Sequence, residues 1–381
     1  MKFLCRALCV LFIASCAVRA QDDDAPLGDF APLDDDLVMY IPKFAVKLGF
    51  RGISGVKTGS AGTGLLASNS ILGSPTGADA RLYHDGFVSF DARTVIDPAG
   101  NTVPITPDGR TNTWAFRNNT QATSNDGLIA MHAYSALTTD TSFSQDDPSL
   151  GLGVELSFDR ELGNVFGTRM KWGVVGGVSM NQINTTATTN LTANVTTTTD
   201  LYSLGGQVAP TAPFTGPGFG GAVDTTPLLG TDLLGRTTQI ISQPGAVANT
   251  WQLRGGYMTF RAGASLFIPV TSRFSATFSA GAVMVYAGTT YEVSHTFLPA
   301  TGDAITESMN SNESAILPGY YVDASLQFAM NDTAGLYLGA VYQSSGDYEQ
   351  EASNPDETSK YTSRIDLSSL QGIRAGVQFK F

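Results

Sequence analysis

The chain has 381 residues, a formal net charge of −12 and only 15% charged residues. So acidic a chain lacks the cationic surface that nucleic acid requires, which excludes nucleic-acid binding. Its three cysteines, Cys5, Cys9 and Cys16, all fall within residues 1–20, so disulfide and thiolate chemistry are excluded for the rest of the chain.

The first residues read MKFLCRALCVLFIASCAVRAQ. A basic start (Lys2, Arg6), an apolar run (Leu8–Ala14) and a small-residue site at Val18-Arg19-Ala20 predict a secretory signal peptide over 1–20, cleaved after Ala20. Ile13-Ala14-Ser15-Cys16 also fits a lipobox with Cys16 lipidated, and cleavage after Ala20 is the reading taken. Residues 21–40 follow as an acidic linker. Its stretch QDDDAPLGDFAPLDDDL holds seven aspartates and two prolines, a composition that cannot bury a core.

From residue 41 the pattern is one of strands. No later apolar run approaches the ~20 residues of a spanning helix, but a sheet that spreads its apolar residues over alternate positions escapes that test. Phe44, Val46, Leu48 and Phe50 alternate with Ala45, Lys47, Gly49 and Arg51. Residues 54–110 read as a long loop, in which Arg81–Asp91 is either a hairpin on a rim or a further strand. Thr111–Asn118 and Leu128–Leu137 come next. Strict period-two alternation then marks Leu150–Phe158, Met170–Met180, Met258–Ile268, Phe274–Tyr286, Ile316–Met330 and Leu336–Tyr342. Connections alternate between short (160–169, 269–273, 331–334) and long (184–250, 295–314, 346–370). The longest, 184–250, carries nine threonines between Asn184 and Thr199 and recurrent prolines, and reads as irregular.

The last stretch, QGIRAGVQFKF, sends Ile373, Ala375, Val377, Phe379 and Phe381 one way and Arg374, Gln378 and Lys380 the other. This ending resembles the C-terminal signal of Gram-negative outer-membrane β-barrels, with Val377, Phe379 and Phe381 as the residues read by the barrel-assembly machinery. The resemblance implies an all-β fold over 41–381: one antiparallel transmembrane barrel in the outer membrane, with short periplasmic turns and long extracellular loops. With both termini periplasmic the strand number is even. The segments above give ten, or twelve if Arg81–Asp91 spans. Aromatics at strand ends (Trp172, Phe274, Tyr286, Tyr320, Tyr342, Phe379, Phe381) stand where an interfacial girdle would lie.

Lys47, Arg51, Glu155, Lys171, Arg261, Asp323 and Arg374 share the parity opposite to the apolar positions and are expected to line the lumen, with Asp159 and Lys380. In a small barrel such charges cross-link and fill the interior; the alternative is a narrow, weakly anion-preferring pore for small solutes. The partners expected are outer-membrane lipid, the assembly machinery during biogenesis and an extracellular ligand met through 184–250. Enzymatic activity is not expected. His84, His132 and His295 lack the His-x-Ser and Asp-x-His spacings of barrel hydrolases and proteases, although Asp146-Asp147 could supply carboxylates. No cofactor or metal is expected, and the histidines are expected as polar rim or lumen residues. The function read from the sequence is therefore a structural or surface-interaction barrel with a filled lumen.

Overall fold

The computed structural model describes residues 44–67, 69–75, 79–123, 127–139, 142–146, 151–165, 168–216 and 227–381. The expected signal peptide, the acidic linker and Asp147 lie outside the described residues. Eight segments form antiparallel strands that we label β1 (Phe44–Ser54), β2 (Gly151–Asn164), β3 (Lys171–Ser203), β4 (Gly235–Pro269), β5 (Phe274–Phe297), β6 (Ile305–Ala329), β7 (Ala334–Ser344) and β8 (Leu370–Lys380). Each pairs with the next in sequence. The last, β8, then pairs back onto β1, with Arg374 opposite Arg51, and closes a ring. At the seam Phe381 N donates to Phe44 O at 2.8 Å. Closure leaves the ring without an edge to be satisfied by water or by another chain.

Burial alternates along the ring strands with the parity of the sequence. In β1, Leu48 and Phe50 are exposed while Lys47, Gly49 and Arg51 are buried. The register sets the outward apolar residues against one another across strands, Val154 opposite Met180, Leu326 opposite Leu338 and Leu48 opposite the half-buried Val377. Phe50, Leu152, Val322, Leu326 and Ile373 are each more than half exposed. All the strand-end aromatics named above are exposed as well. A continuous apolar band therefore faces outward, the reverse of a protein folded around an apolar core in water. The eleven residues of β1 span about 36 Å, which at the usual tilt of about 40° makes a wall roughly 28 Å tall.

The ring has eight strands, not the ten expected. Arg81–Asp91 does not span; Arg81–Tyr83 and Gly86–Val88 form a hairpin, which continues its small sheet through Trp114–Phe116. Leu128–Thr138 pairs with the far half of β3, beyond the ring. Local alternation cannot reveal this, since a strand stacked above the ring alternates like one inside it.

The long connections also prove largely ordered. Strand β3 runs 33 residues and β4 runs 35, so most of 184–250 is sheet. Threonine, branched at Cβ, fits a pleated strand, and residues 185–199 use it so. Strands β3 to β6 thus continue beyond the ring as an open sheet. A second sheet of 143–146, 57–63, 360–367 and 346–353 packs against it. Between them lies an apolar core that includes Ile183, Trp251, Leu253, Tyr291, Val293, Tyr361, Ile365 and Leu367. A second apolar cluster, around Trp114, Phe116, Met131, Tyr202 and Leu229, fills the space under the 81–116 region. At the other end of the ring the connections are only 165–170, 270–273 and 330–333.

Candidate functional site

Inside the ring, one layer gathers the charges. Arg261 on β4 donates through Nη2 to Glu155 Oε1 on β2 at 2.9 Å and through Nη1 to Asp323 Oδ2 on β6 at 3.2 Å. Arg374 on β8 donates through Nη1 to the same Glu155 Oε1 at 2.7 Å and pairs with Asp323 through Nη2. Each of these bonds joins strands that are not neighbours, so it crosses the interior. Arg51 on β1 donates to Ser179 Oγ on β3 and stands 3.9 Å from Glu155 Oε2. All five ionic side chains are at least nine-tenths buried. Three guanidiniums face two carboxylates.

Aromatic rings complete the layer. Tyr337 lies 5.7 Å beneath the Arg374 guanidinium, and Tyr321 lies 5.5 Å from that of Arg261. Tyr257 and Tyr321 are almost wholly buried. Nearer the short turns, Lys47 meets Asp159 at 2.5 Å and Lys171 meets Glu161 at 2.8 Å. The cleft lined by Asp159, Glu161 and Lys171, with Thr277, Gln327, Gln378 and Lys380, has about 30 Å³, room for a water or two. On the opposite side of the charged layer, Ile53, Val283, Val341 and Leu370 belong to the apolar core of the upper sheets. The interior is thus crossed first by ion pairs and then by packed apolar side chains.

Of the seven charges expected inside, Arg51, Glu155, Arg261, Asp323 and Arg374 are brought together in one network. Lys47 and Lys171 stand nearer the turns in separate pairs. The tyrosines were not anticipated, yet parity carries the signal: Tyr257 shares the face of Arg261, and Tyr321 that of Asp323.

The histidines lie outside this layer. His132, on Leu128–Thr138, directs Nδ1 to Asp85 Oδ2 at 2.6 Å, and its backbone N–H donates to Asp85 Oδ1 at 2.8 Å. Thr301 Oγ1 donates to Asp85 Oδ2 at 3.2 Å and also meets the Tyr134 hydroxyl at 2.8 Å. The adjoining Gly302 has φ +95°, and a Cβ there would overlap the His84 ring, so only glycine lets this connection approach. His295 is fully buried and its Nε2 meets Glu307 Oε2 at 2.9 Å. No spacing rule finds the Asp85–His132 pair, because a hairpin turn and a distant strand supply its halves. Among the described residues no three metal-ligating side chains converge.

No protein-family model matches the chain, and no curated protein matches it. Among solved structures it is similar to the outer-membrane protease OmpT of Escherichia coli, at 9% identity and a TM-score of 0.32, covering 89% of this chain and 97% of that one. The outer-membrane protein OprG of Pseudomonas aeruginosa is similar at 10% identity and a TM-score of 0.29, with 89% and 95% covered. Ail of Yersinia pestis, solved with a heparin analogue, is similar at 11% identity and a TM-score of 0.21, with 86% and 99% covered. Likenesses this distant carry no argument about what this chain does.

Proposed function

We propose that this chain is an integral outer-membrane β-barrel with a filled interior, which anchors a tall β-sheet structure and presents it to the outside. Three features support the membrane reading: the outward apolar band, its height of roughly 28 Å against an apolar zone of about 25 Å in such barrels, and the aromatics at its margins. A signal peptide over 1–20, as the sequence reads, and the Phe residues at 379 and 381 would agree with it. Val377 is half-buried and Phe379 exposed on β8, and Phe381, one residue past it, is exposed too; the assembly machinery would read them there.

The observation that carries the filled interior is the ion network that ties β2, β4, β6 and β8 together across the ring. Eight strands leave an interior just wide enough for side chains, and these side chains take it. The seven charges would then hold the lumen shut and set its register. Lipid would surround the ring, the short turns would face the periplasm, and the upper sheets, including the ordered part of 184–250, would meet surfaces or ligands outside.

The test is single-channel conductance of the refolded full chain in a planar bilayer. Electrical silence, with the folded band retained on a gel, is the expected result. Steady conductance that changes in Arg261→Ala would replace this reading with that of a narrow pore.

A further inference from the structure

The charged layer has one cation too many. Arg261 and Arg374 each bond both Glu155 and Asp323, whereas Arg51 reaches only Ser179 and stands at 3.9 Å from Glu155. Arg51 also lies directly opposite Arg374 on the ring's inner face, a like-charge pair that the sheet does not relieve. Arg51 must share Glu155 with two other guanidiniums, and buried charge that is not fully neutralised is among the most costly features a fold can carry.

The orientation of Arg51 shows where a counter-ion fits. Nη1 is turned toward Ser179 and Glu155. Nε and Nη2, which make the side-on fork of the guanidinium, are buried and have no partner. The register row of Arg51 runs through Gly153 and Asn181 to Tyr257. The Tyr257 hydroxyl is buried and also has no partner. Asn181 donates its Nδ2 to Gly151 O at 3.0 Å, leaving Oδ1 beside the row. One fork of two N–H donors and one phenolic O–H, all buried beside a surplus positive charge, match a small spherical monoanion.

We infer that the ring holds one buried halide-sized monoanion, chloride in ordinary media, bound by Arg51 Nε and Nη2 and the Tyr257 hydroxyl. The ion neutralises the layer and is taken up as the ring closes around it. The site lies within the ring and does not depend on what surrounds the ring.

The experiment refolds the full chain in sodium bromide, sodium chloride or sodium methanesulfonate at equal ionic strength, the last being a bulkier, non-spherical monoanion. Chloride and bromide should raise the thermal midpoint saturably, by about 2 °C per tenfold concentration once above the dissociation constant, and methanesulfonate should not. Crystals grown from the bromide sample should give an anomalous peak against Arg51 and Tyr257. Arg51→Gln should abolish the halide effect, with folding checked by gel mobility of the unheated band. Tyr257→Phe, which keeps the charge and the ring, should weaken halide binding about tenfold and serves if the arginine variant does not fold. The inference falls if bromide gives no peak inside the ring, if methanesulfonate stabilises as well as chloride, or if the halide effect persists in both variants.

Discussion

Replacing Glu155 with alanine tests the charged layer at its centre. Its Oε1 accepts from Arg261 at 2.9 Å and from Arg374 at 2.7 Å, and the side chain is 1% exposed. Each lost bond to a charged group is worth about 1.5–3 kcal/mol. Removing one partner of a buried ionic network costs about 3–5 kcal/mol, because the charges left behind stay desolvated. Both routes predict a loss of roughly 3–5 kcal/mol, and the surplus of cations rises from one to two. The assay is equilibrium urea unfolding of the refolded protein in vesicles, followed by tryptophan fluorescence. In the same background Arg51→Gln removes the extra cation and should restore part of the loss, so the two changes are coupled rather than additive. A loss below about 1 kcal/mol, the scale of an exposed ion pair, would mean that water reaches the layer and that the interior is not filled.

Three further outcomes can be checked. Leu338→Arg, on the outer face opposite Leu326 and Ala375, should destabilise the protein in vesicles by about 2–4 kcal/mol; an effect under 0.5 kcal/mol would place this band in water rather than lipid. Burial pushes the Glu307 carboxyl up, but bonds from His295, Asn354 and Ser359 outweigh it and hold it below the usual carboxylate range. A carboxyl held down in the folded state stabilises fully above that range and loses its contribution as pH falls through the folded value. Acid should therefore loosen 346–367 first, seen as faster amide exchange there, and Glu307→Gln should flatten that dependence. Asp85→Ala leaves the His132 backbone N–H without its acceptor and releases Thr301; it should cost about 1–3 kcal/mol and make 298–304 cleavable by protease, measured by limited proteolysis.

How much of this was legible in the sequence depends on whether the signal is local. Alternation around Arg51, Glu155, Arg261, Asp323 and Arg374 placed each on the face opposite to the apolar residues, and the structure brings these five together. Parity says nothing about height, so the sequence could not separate Lys47 and Lys171, nearer the turns, from the central layer. Height also decides whether a strand belongs to the ring, and for Leu128–Thr138 the answer lies in its pairing with residues 193–203. The threonine run was read as irregular because its composition is polar and repetitive. Its Cβ branching, combined with a partner strand at 235–247, makes it sheet instead. The Asp85–His132 pair was out of reach for the same reason as the ring count, since only long-range pairing brings its halves together.

The two levels of the interior obey opposite physics. In the ring, an apolar exterior forces the polar side chains inward, where they must satisfy one another across a narrow space; hence ion pairs, tyrosines and glutamines rather than a hydrocarbon core. Beyond the end of β1 at Ser54 and the start of β8 at Leu370 the arrangement inverts, and Leu253, Tyr291, Ile365 and Leu367 pack into an ordinary apolar core beneath polar outer faces. Such an inversion is expected where a chain passes from one solvent to another, since each face is chosen by the medium it meets. The change of parity along a single strand therefore locates the boundary. In β5, apolar Phe278 and Met284 point outward low in the strand, whereas Val293 and Phe297 point inward at its far end. A spin label scanned along positions 276–296 should report lipid contact on alternate residues up to about Tyr286 and water beyond it. Alternating lipid contact that continued to residue 296 would show that the upper sheet is also embedded, and would overturn the reading of that sheet as the part presented outside.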